Sequence, residues 1–205
     1  KDYCINKESE MSNLECVSYN EINAEFTRDE VLKCIYSSKN NKAIGIDCIP
    51  NECLKNDNSV DLLLKYFNLC YTPGRLPSVW LKAMISPIPK NNKNDPCVPL
   101  NYRGISLLSC ISKIYTSLLN SRFIKHMEDN NVLVDEQNGF RPNRSCVDHI
   151  FCLSTIIRNR MMENNDTFVT FVDLQKAFDF VDRNLLLYTL LENGYDGNFY
   201  FAVKA

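Results

Sequence analysis

The 205-residue sequence contains only two histidines, His126 and His149, and none of its ten cysteines lies in a CxxC pair. Zinc sites use Cys and His ligands at characteristic spacings, so no zinc site of that kind is expected. No apolar run approaches the roughly 18 residues that a membrane-spanning helix needs, and we expect no membrane partner. No signal peptide is visible, which favours a reducing intracellular location, in the cytoplasm or nucleus, over secretion.

The net charge of −2 does not suit a general-purpose nucleic-acid-binding protein, but the charge is unevenly distributed. The first 25 residues contain six acids and two bases, whereas residues 82–125 contain seven bases and one acid, Asp95. The basic segment suits a phosphate-bearing partner, or it is a solvated positive face without one. Its bases are Lys82, Lys90, Lys93, Arg103, Lys113, Arg122 and Lys125.

Apolar periodicity and capping residues predict several helices. Thr27 and Glu30 form a capping box at the start of a helix over residues 26–38, and Phe26 is placed to pack on Val31. Residues 59–71 and 111–127 are predicted as core helices. Further helices follow Ser145 and Asp182, with Leu185, Leu186 and Leu190 facing inward on the last of them and Gly194 ending it. The core stripe of the helix after Ser145 is Ile150, Leu153, Ile156 and Ile157.

Two strand-like segments, residues 80–89 and 102–108, flank a polar loop over residues 91–101 and predict a long hairpin. Pro87 and Pro89 mark the first as an edge strand. Antiparallel pairing brings Lys90 and Arg103 close together across the base of the loop. Two cations held side by side are tolerable if an anion binds between them; the alternative is two exposed, independent bases.

Residues 167–172 are β-branched or aromatic throughout and predict a strand covered on both faces. Asp173 follows directly, with no opposite charge beside it. A carboxylate at the end of a buried strand is costly unless it is paired or holds a metal ion. Two interpretations stay open at this point, because Asp173 either caps the turn after the strand or forms part of a metal site.

Four stretches, in this order, resemble the reverse transcriptases of non-LTR (LINE-type) retrotransposons: NNKAIGIDCIPNECLK, then ISPIPK with NYRGISLLSCISKIY, then QNGFRPNRSCVDHI, and finally FVDLQKAFDFVDR. The resemblance runs from about Phe26 to the end. It implies an α+β fold, the fingers and an incomplete palm of a right-hand polymerase, truncated before the second catalytic hairpin and the thumb. The implied divisions are a loose acidic lead-in (1–25), a helical extension (26–75), fingers (76–165) and a partial palm (166–205).

The resemblance also assigns roles. Asp173 matches the first metal-binding aspartate and Leu174 the residue whose main-chain carbonyl joins it, with two Mg²⁺ ions in the full-length parent. Lys90 and Arg103 match the basic pair that grips the incoming triphosphate. Phe178, next to Ala177 in the nucleotide-binding block, matches the bulky residue that blocks a ribose 2′-hydroxyl; the alternative is a core aromatic.

A further block is expected near the nucleotide and template, and it contains Gln137, Gly139 and Arg141. Arg141 alternatively caps a turn.

The implied function is RNA-directed DNA polymerisation, with an RNA template, a DNA primer and dNTPs as partners. The Tyr/Phe-x-Asp-Asp hairpin of the family is absent, since the sequence contains no pair of adjacent aspartates. We therefore expect a fragment that is inactive alone. The alternatives are a catalytically dead remnant that binds nucleic acid and a translated fragment without function. Group II intron maturases share parts of these blocks, but the lead-in helix and the KAFD sequence favour the retrotransposon type.

Overall fold

The computed structural model describes residues 19–90 and 95–205, and within them it contains seven α-helices and one two-stranded sheet. They divide into two compact units, which are described separately. The core unit comprises the described residues up to Arg122 together with Arg183–Ala205, and the second unit is Phe123–Asp182. The elements are α1 (Asn20–Asn23), α2 (Arg28–Ser37), α3 (Asp57–Tyr71), β1 (Met84–Pro89), β2 (Tyr102–Leu107), α4 (Cys110–Asp129), α5 (Cys146–Met162), α6 (Arg183–Glu192) and α7 (Gly197–Lys204).

The capping box that begins α2 is present as predicted. The Glu30 carboxylate accepts hydrogen bonds from the Thr27 backbone N and Oγ1, and Glu30 N donates to Thr27 Oγ1. Phe26 and Val31, on either side of the cap, are both buried. A cap of this kind contributes about 1 kcal/mol to helix stability, so the local sequence determines where α2 starts.

An aromatic cluster forms the centre of the core unit. The ring of Tyr115 on α4 lies 5.3 Å from Trp80, 5.5 Å from Phe67 and 5.9 Å from Phe26, between ring centroids. Phe26 also lies 4.6 Å from the ring of Tyr71. Aromatic pairs of this geometry add roughly 0.5–1.5 kcal/mol each beyond the burial of their surface. The cluster therefore joins the start of α2 to α3 and α4. The prediction of a core helix over residues 111–127 is confirmed, because Ile114, Tyr115, Leu118 and Leu119 are buried on α4.

The helix α1 packs against α7 rather than forming a loose segment. Ile22 is buried, and Asn23 Oδ1 accepts a hydrogen bond of 2.9 Å from the backbone N of Phe199. The prediction of a loose lead-in is therefore wrong for residues 19–25, because apolar side chains of α7 provide a surface on which they pack. Residues 1–18 of that lead-in lie outside the described residues, as do residues 91–94 of the predicted loop, including Lys93.

The helix α6 begins directly after Asp182 and ends in a Schellman motif, as the glycine predicts. Tyr195 N donates to Leu190 O at 2.9 Å, Gly194 N donates to Leu191 O at 3.0 Å, and Gly194 has φ +80°. That conformation favours glycine. Leu190 is buried as predicted. The inward placement of Leu185 and Leu186 is wrong, because both side chains are exposed.

In the second unit the predicted strand and core stripe are absent from the structure. Residues 167–172 have no regular secondary structure, and Phe168 is 95% exposed. On α5, Ile150 and Ile156 are exposed, and Leu153 and Ile157 are only partly covered. A strand needs a hydrogen-bonded neighbour, and the sheet in the described residues pairs only β1 with β2. The apolar sequence pattern is therefore present without the partner that would bury it.

No helix in the described part of the chain is long and apolar enough to cross a bilayer.

Candidate functional site

The predicted hairpin is confirmed, and its register determines where the two bases lie. β1 and β2 pair antiparallel, with Ile88 opposite Arg103. Lys90 continues the register, because its backbone N donates to Asn101 O at 2.8 Å. Side chains two residues apart on a strand share a face. Lys90 and Arg103 are therefore diagonal neighbours on one face of the hairpin, at the base of the loop.

Neither base of the hairpin is neutralised by a carboxylate within the described residues. Both side chains are exposed and neither forms an ion pair there. Lys90 Nζ donates to the backbone carbonyl of Leu100 at 2.9 Å, which holds its ammonium group at the base of the loop. Two unneutralised cations on one face of a hairpin leave a local positive charge, which favours an anion over a cation at this position.

Asp173 lies in a segment without regular structure rather than at the end of a strand, so that part of the prediction is wrong. Its carboxylate is exposed and makes no hydrogen bond or ion pair within the described residues, so the turn-capping interpretation is not what the structure shows. The following turn is closed by the backbone, with Asp179 N donating to Lys176 O at 2.9 Å and Lys176 at φ +51°. The Asp173 carboxylate is accessible to a ligand from solvent.

Asp173 and the carbonyl of Leu174 are oxygen donors of the kind that Mg²⁺ prefers. The described residues contain no group of three or more His, Cys, Asp or Glu side chains that could hold a metal ion. Asp173 and Leu174 therefore supply only two oxygen ligands. Mg²⁺ in nucleotide sites is bound through one or two carboxylates together with substrate phosphates. Asp173 and Leu174 therefore fit part of the protein ligand set of such a site, and the remaining ligands would have to come from elsewhere.

Phe178 is not a core aromatic. Its side chain is 83% exposed, and its ring lies 6.4 Å from that of Phe140 in an edge-on arrangement. Ala177 and Leu174 are exposed beside it. The exposed ring, five residues after Asp173, is accessible from solvent, and its role as a 2′-hydroxyl block stays a prediction.

Arg141 adopts the turn-capping alternative. Its Nε and Nη2 donate to the two carboxylate oxygens of Glu128 at 2.9 and 2.7 Å, and Nη1 donates to Val134 O at 2.8 Å. The hydrogen bonds from Arg141 lower the pKa of Glu128. Gln137 Nε2 donates to Gly139 O at 3.0 Å within the same turn. The Arg141 guanidinium is therefore engaged by hydrogen bonds within the protein. The proximity of Gln137 and Gly139 to a template stays a prediction.

Arg122, one of the bases counted in the basic segment, is a structural residue with only 10% of its side chain exposed, a role that the sequence did not reveal. Its Nε and Nη2 donate to the Glu30 carboxylate at 2.7 and 2.8 Å. It also donates to the carbonyls of Ile22 and Glu25, and its guanidinium lies 4.5 Å from the centre of the Phe26 ring. Burial raises the pKa of Glu30, but the hydrogen bonds from Arg122 and Thr27 outweigh burial and lower it to about 2. Arg122 is therefore not available to a phosphate.

The connector that follows α2, residues 38–50, contains Gly45 and lies against the junction between β2 and α4. Asp47 Oδ2 accepts a hydrogen bond from Ser109 Oγ at 2.5 Å. A Cβ on Gly45 would overlap the backbone of Leu108 and Ser109. The glycine is required for this close approach.

Every candidate site residue lies between positions 88 and 202. That segment matches the sequence profile of the family described as reverse transcriptase (RNA-dependent DNA polymerase). The match covers more than half of the chain, so the chain belongs to the reverse transcriptase family. The family has a polymerase fold, with which the mixed helices and small sheet are compatible.

Sequence relatives of the chain support the same family assignment. The chain is 32% identical over 153 residues to the probable RNA-directed DNA polymerase from transposon BS of Drosophila melanogaster, an alignment that covers 74% of this chain and 17% of that protein. It is 31% identical over 152 residues to the probable RNA-directed DNA polymerase from transposon X-element of the same species, covering 73% of this chain and 17% of that protein.

The RNA-directed DNA polymerase from mobile element jockey is 28% identical over 164 residues, covering 79% of this chain and 18% of that protein. These matches confirm the resemblance to reverse transcriptases of non-LTR retrotransposons. The chain spans less than a fifth of the length of each of these relatives.

Proposed function

We propose that this chain supplies the triphosphate-binding fingers and the first metal-binding carboxylate of an RNA-directed DNA polymerase from a non-LTR retrotransposon. Its partners are then an RNA template, a DNA primer and a dNTP. The observation that carries the proposal is the placement of Lys90 and Arg103 on one face of a hairpin, without a carboxylate partner in the described residues, inside the segment that matches the family. Residues 76–165 are assigned to the fingers and residues 166–205 to part of the palm.

Each residue has a limited task in this proposal. Protein groups in phosphoryl and nucleotidyl transfer act mainly by positioning and by neutralising charge. Lys90 and Arg103 bind the triphosphate tail and orient it. Asp173 and the Leu174 carbonyl hold Mg²⁺, which when bound activates the primer hydroxyl and stabilises the leaving pyrophosphate. Phe178 packs beside the sugar and excludes a ribose 2′-hydroxyl.

A chimera tests the proposal. Residues 88–202 replace the aligned segment of the transposon BS polymerase, and Mg²⁺-dependent primer extension on an RNA template is measured. We expect extension, its abolition by Asp173→Asn, and a raised KM for dNTP with Lys90→Ala or Arg103→Ala. An effect of the two hairpin variants on template affinity alone, with KM for dNTP unchanged, would contradict the triphosphate role.

The sugar-excluding role of Phe178 has its own test in the same chimera. Phe178→Val is expected to lower the preference for dNTP over rNTP, because a smaller side chain leaves room for the 2′-hydroxyl. Phe168→Val, at another exposed phenylalanine of the second unit, is the matched control. Equal selectivity in all three proteins would remove the role from Phe178.

A second candidate function is nucleic-acid binding without chemistry. It is favoured by the single candidate carboxylate and by the lack of a metal-binding cluster in the described residues. For residues 1–205 alone we expect no primer extension with Mg²⁺ on any template. RNA binding that depends on salt but not on Mg²⁺, combined with an inactive chimera, would support this candidate.

A further inference from the structure

A cavity of about 320 Å³ lies in the core unit, and its lining includes neither the hairpin bases nor Asp173. Its walls are the C-terminal end of α2, the connector that follows it, and the first half of α4. Three of the lining residues are lysines, Lys39 and Lys42 from the connector and Lys113 from α4. The remaining lining includes Asn51 and Ser117 as well as the aliphatic side chain of Ile114.

The lysines of this cavity have no carboxylate partner in the part of the chain that the structure describes. No acid lines the cavity, and none of the three lysines forms an ion pair there. The acids on the neighbouring segments are already engaged elsewhere. Glu30 is bound by Arg122, and the Glu52 carboxylate accepts from the backbone N of Asn41. The fold therefore leaves three like charges around one concave site, an arrangement that an anion stabilises.

The connector that carries two of these lysines is fixed in place. Asn51 Nδ2 donates to the carbonyl of Lys39 at 2.8 Å, and Lys55 Nζ donates to Ser38 O at 2.7 Å. Further along, the Asp47–Ser109 hydrogen bond ties the same connector to the start of α4, the helix that carries Lys113. The backbones that present the lysines are held before any ligand arrives, which reduces the entropic cost of binding.

We propose that this cavity binds a backbone phosphate of a single-stranded nucleic acid. The three ammonium groups are opposite in charge to a phosphodiester and can donate to its oxygens, and the hydroxyl of Ser117 adds a neutral donor. The volume is at the lower end of the range for small-molecule sites, about 300–1,000 Å³. It is large enough for a phosphate with its adjoining sugar. That the strand is a nucleic acid rests on the proposed polymerase function, whereas the affinity for phosphate rests on the lysines alone.

Two measurements on the 205-residue protein test this site. The first is a heteronuclear NMR titration with inorganic phosphate, which is expected to shift amide resonances at residues 38–42 and 113–117. The second is fluorescence anisotropy with a labelled single-stranded RNA over a range of NaCl concentrations. The triple variant Lys39→Ala, Lys42→Ala, Lys113→Ala is expected to abolish the phosphate shifts. It should also reduce the slope of log K against log salt by about 0.7, because each phosphate neutralised on a single strand contributes about that much.

The matched control replaces three lysines outside both the cavity and the basic segment, Lys33, Lys65 and Lys204, by alanine and is expected to change the slope little. The single variant Lys42→Glu, at an exposed position, repeats the test if the triple variant unfolds. An unchanged RNA slope in the cavity variants would overturn the proposal, even if inorganic phosphate still binds, since the site would then hold a free ion only. Neither readout involves dNTP or extension, so a failed polymerase chimera and a failed cavity are distinguishable.

Discussion

The two units of this protein differ in one respect above all others. Every buried hydrophobic side chain in the described residues belongs to the core unit, and none belongs to the second unit. The second unit is not short of apolar residues, since it exposes Phe140, Phe168, Phe171 and Phe178. Composition therefore does not explain the difference. The core unit contains several elements that bury one another, whereas residues 123–182 contain one full helix, the end of another, and irregular segments.

Hydrophobic periodicity indicates which face of an element is suited to burial, but it does not supply the surface that covers that face. In the core unit, α3 and α4 were predicted as core helices, and each buries an apolar face. In the second unit, the predicted stripe of α5 is exposed at Ile150 and Ile156 and only partly covered at Leu153 and Ile157. The comparison gives four predictions, ordered by the size of the effect expected.

The largest difference is expected between two phenylalanines. Phe67→Ala removes a fully buried ring from the aromatic cluster and should lower the free energy of unfolding by about 3–5 kcal/mol. Phe168→Ala removes a ring that is exposed and should change it by less than about 0.5 kcal/mol. Urea denaturation monitored by circular dichroism measures both. A comparable loss for Phe168→Ala would show that residues 167–172 are buried in solution, and the contrast between the units would then disappear.

The second prediction compares two arginines. Arg122 is 10% exposed and bound to Glu30, whereas the Arg144–Asp135 pair has side-chain exposures of 36% and 92%. Arg122→Ala leaves Glu30 and several carbonyls without their donor and should cost about 3 kcal/mol. Arg144→Ala should cost about 0.5 kcal/mol or less, because water replaces the lost contact. Equal effects in urea denaturation would show that the Arg122 cluster does not hold α1 and α2 to the core.

How far the sequence predicts the fold depends on how far apart the interacting residues are. The capping box at Thr27 and the helix end at Gly194 are signals within a few residues, and both are present. Arg122 was assigned to a basic surface because its partner lies 92 positions away. The strand over residues 167–172 was predicted from its own apolar pattern. That pattern carries no information about whether another strand is available to pair with it.

The candidate site follows the same rule. The Lys90–Arg103 geometry was predictable because a hairpin determines its own register. The exposure of Phe178 and the internal use of Arg141 depend on packing around them, and the sequence left both open. The lysine cavity was not predicted, since Lys113 reaches the connector only through the tertiary fold.

The third prediction concerns acid stability and follows from Glu30. Its pKa is about 2 in the folded protein and about 4.3 in an unfolded chain, so Glu30 stabilises the fold above pH 5 and this contribution is lost as the pH falls towards 2. Because Glu30 is more than a third exposed, we expect roughly 1–2 kcal/mol after solvent screening. Glu30→Gln should flatten this part of the curve of stability against pH. The same slope in wild type and variant would show that Glu30 is not the group responsible.

The smallest change in stability is expected on removing the hydroxyl of the N-cap residue of a helix, which can be done in both units. Thr27→Ala and Ser145→Ala each remove an N-cap hydroxyl that donates to the carboxylate three residues further on, Glu30 in α2 and Asp148 in α5. Thr27 sits beside the buried Phe26 and Val31, so its loss should lower the global free energy of unfolding by about 1 kcal/mol. The helix that Ser145 caps has no buried side chain. Its first turn should therefore lose hydrogen-exchange protection locally, while global unfolding is unchanged. If Ser145→Ala lowers global stability as much as Thr27→Ala, the second unit unfolds cooperatively with the core and α5 must be covered by a surface in solution.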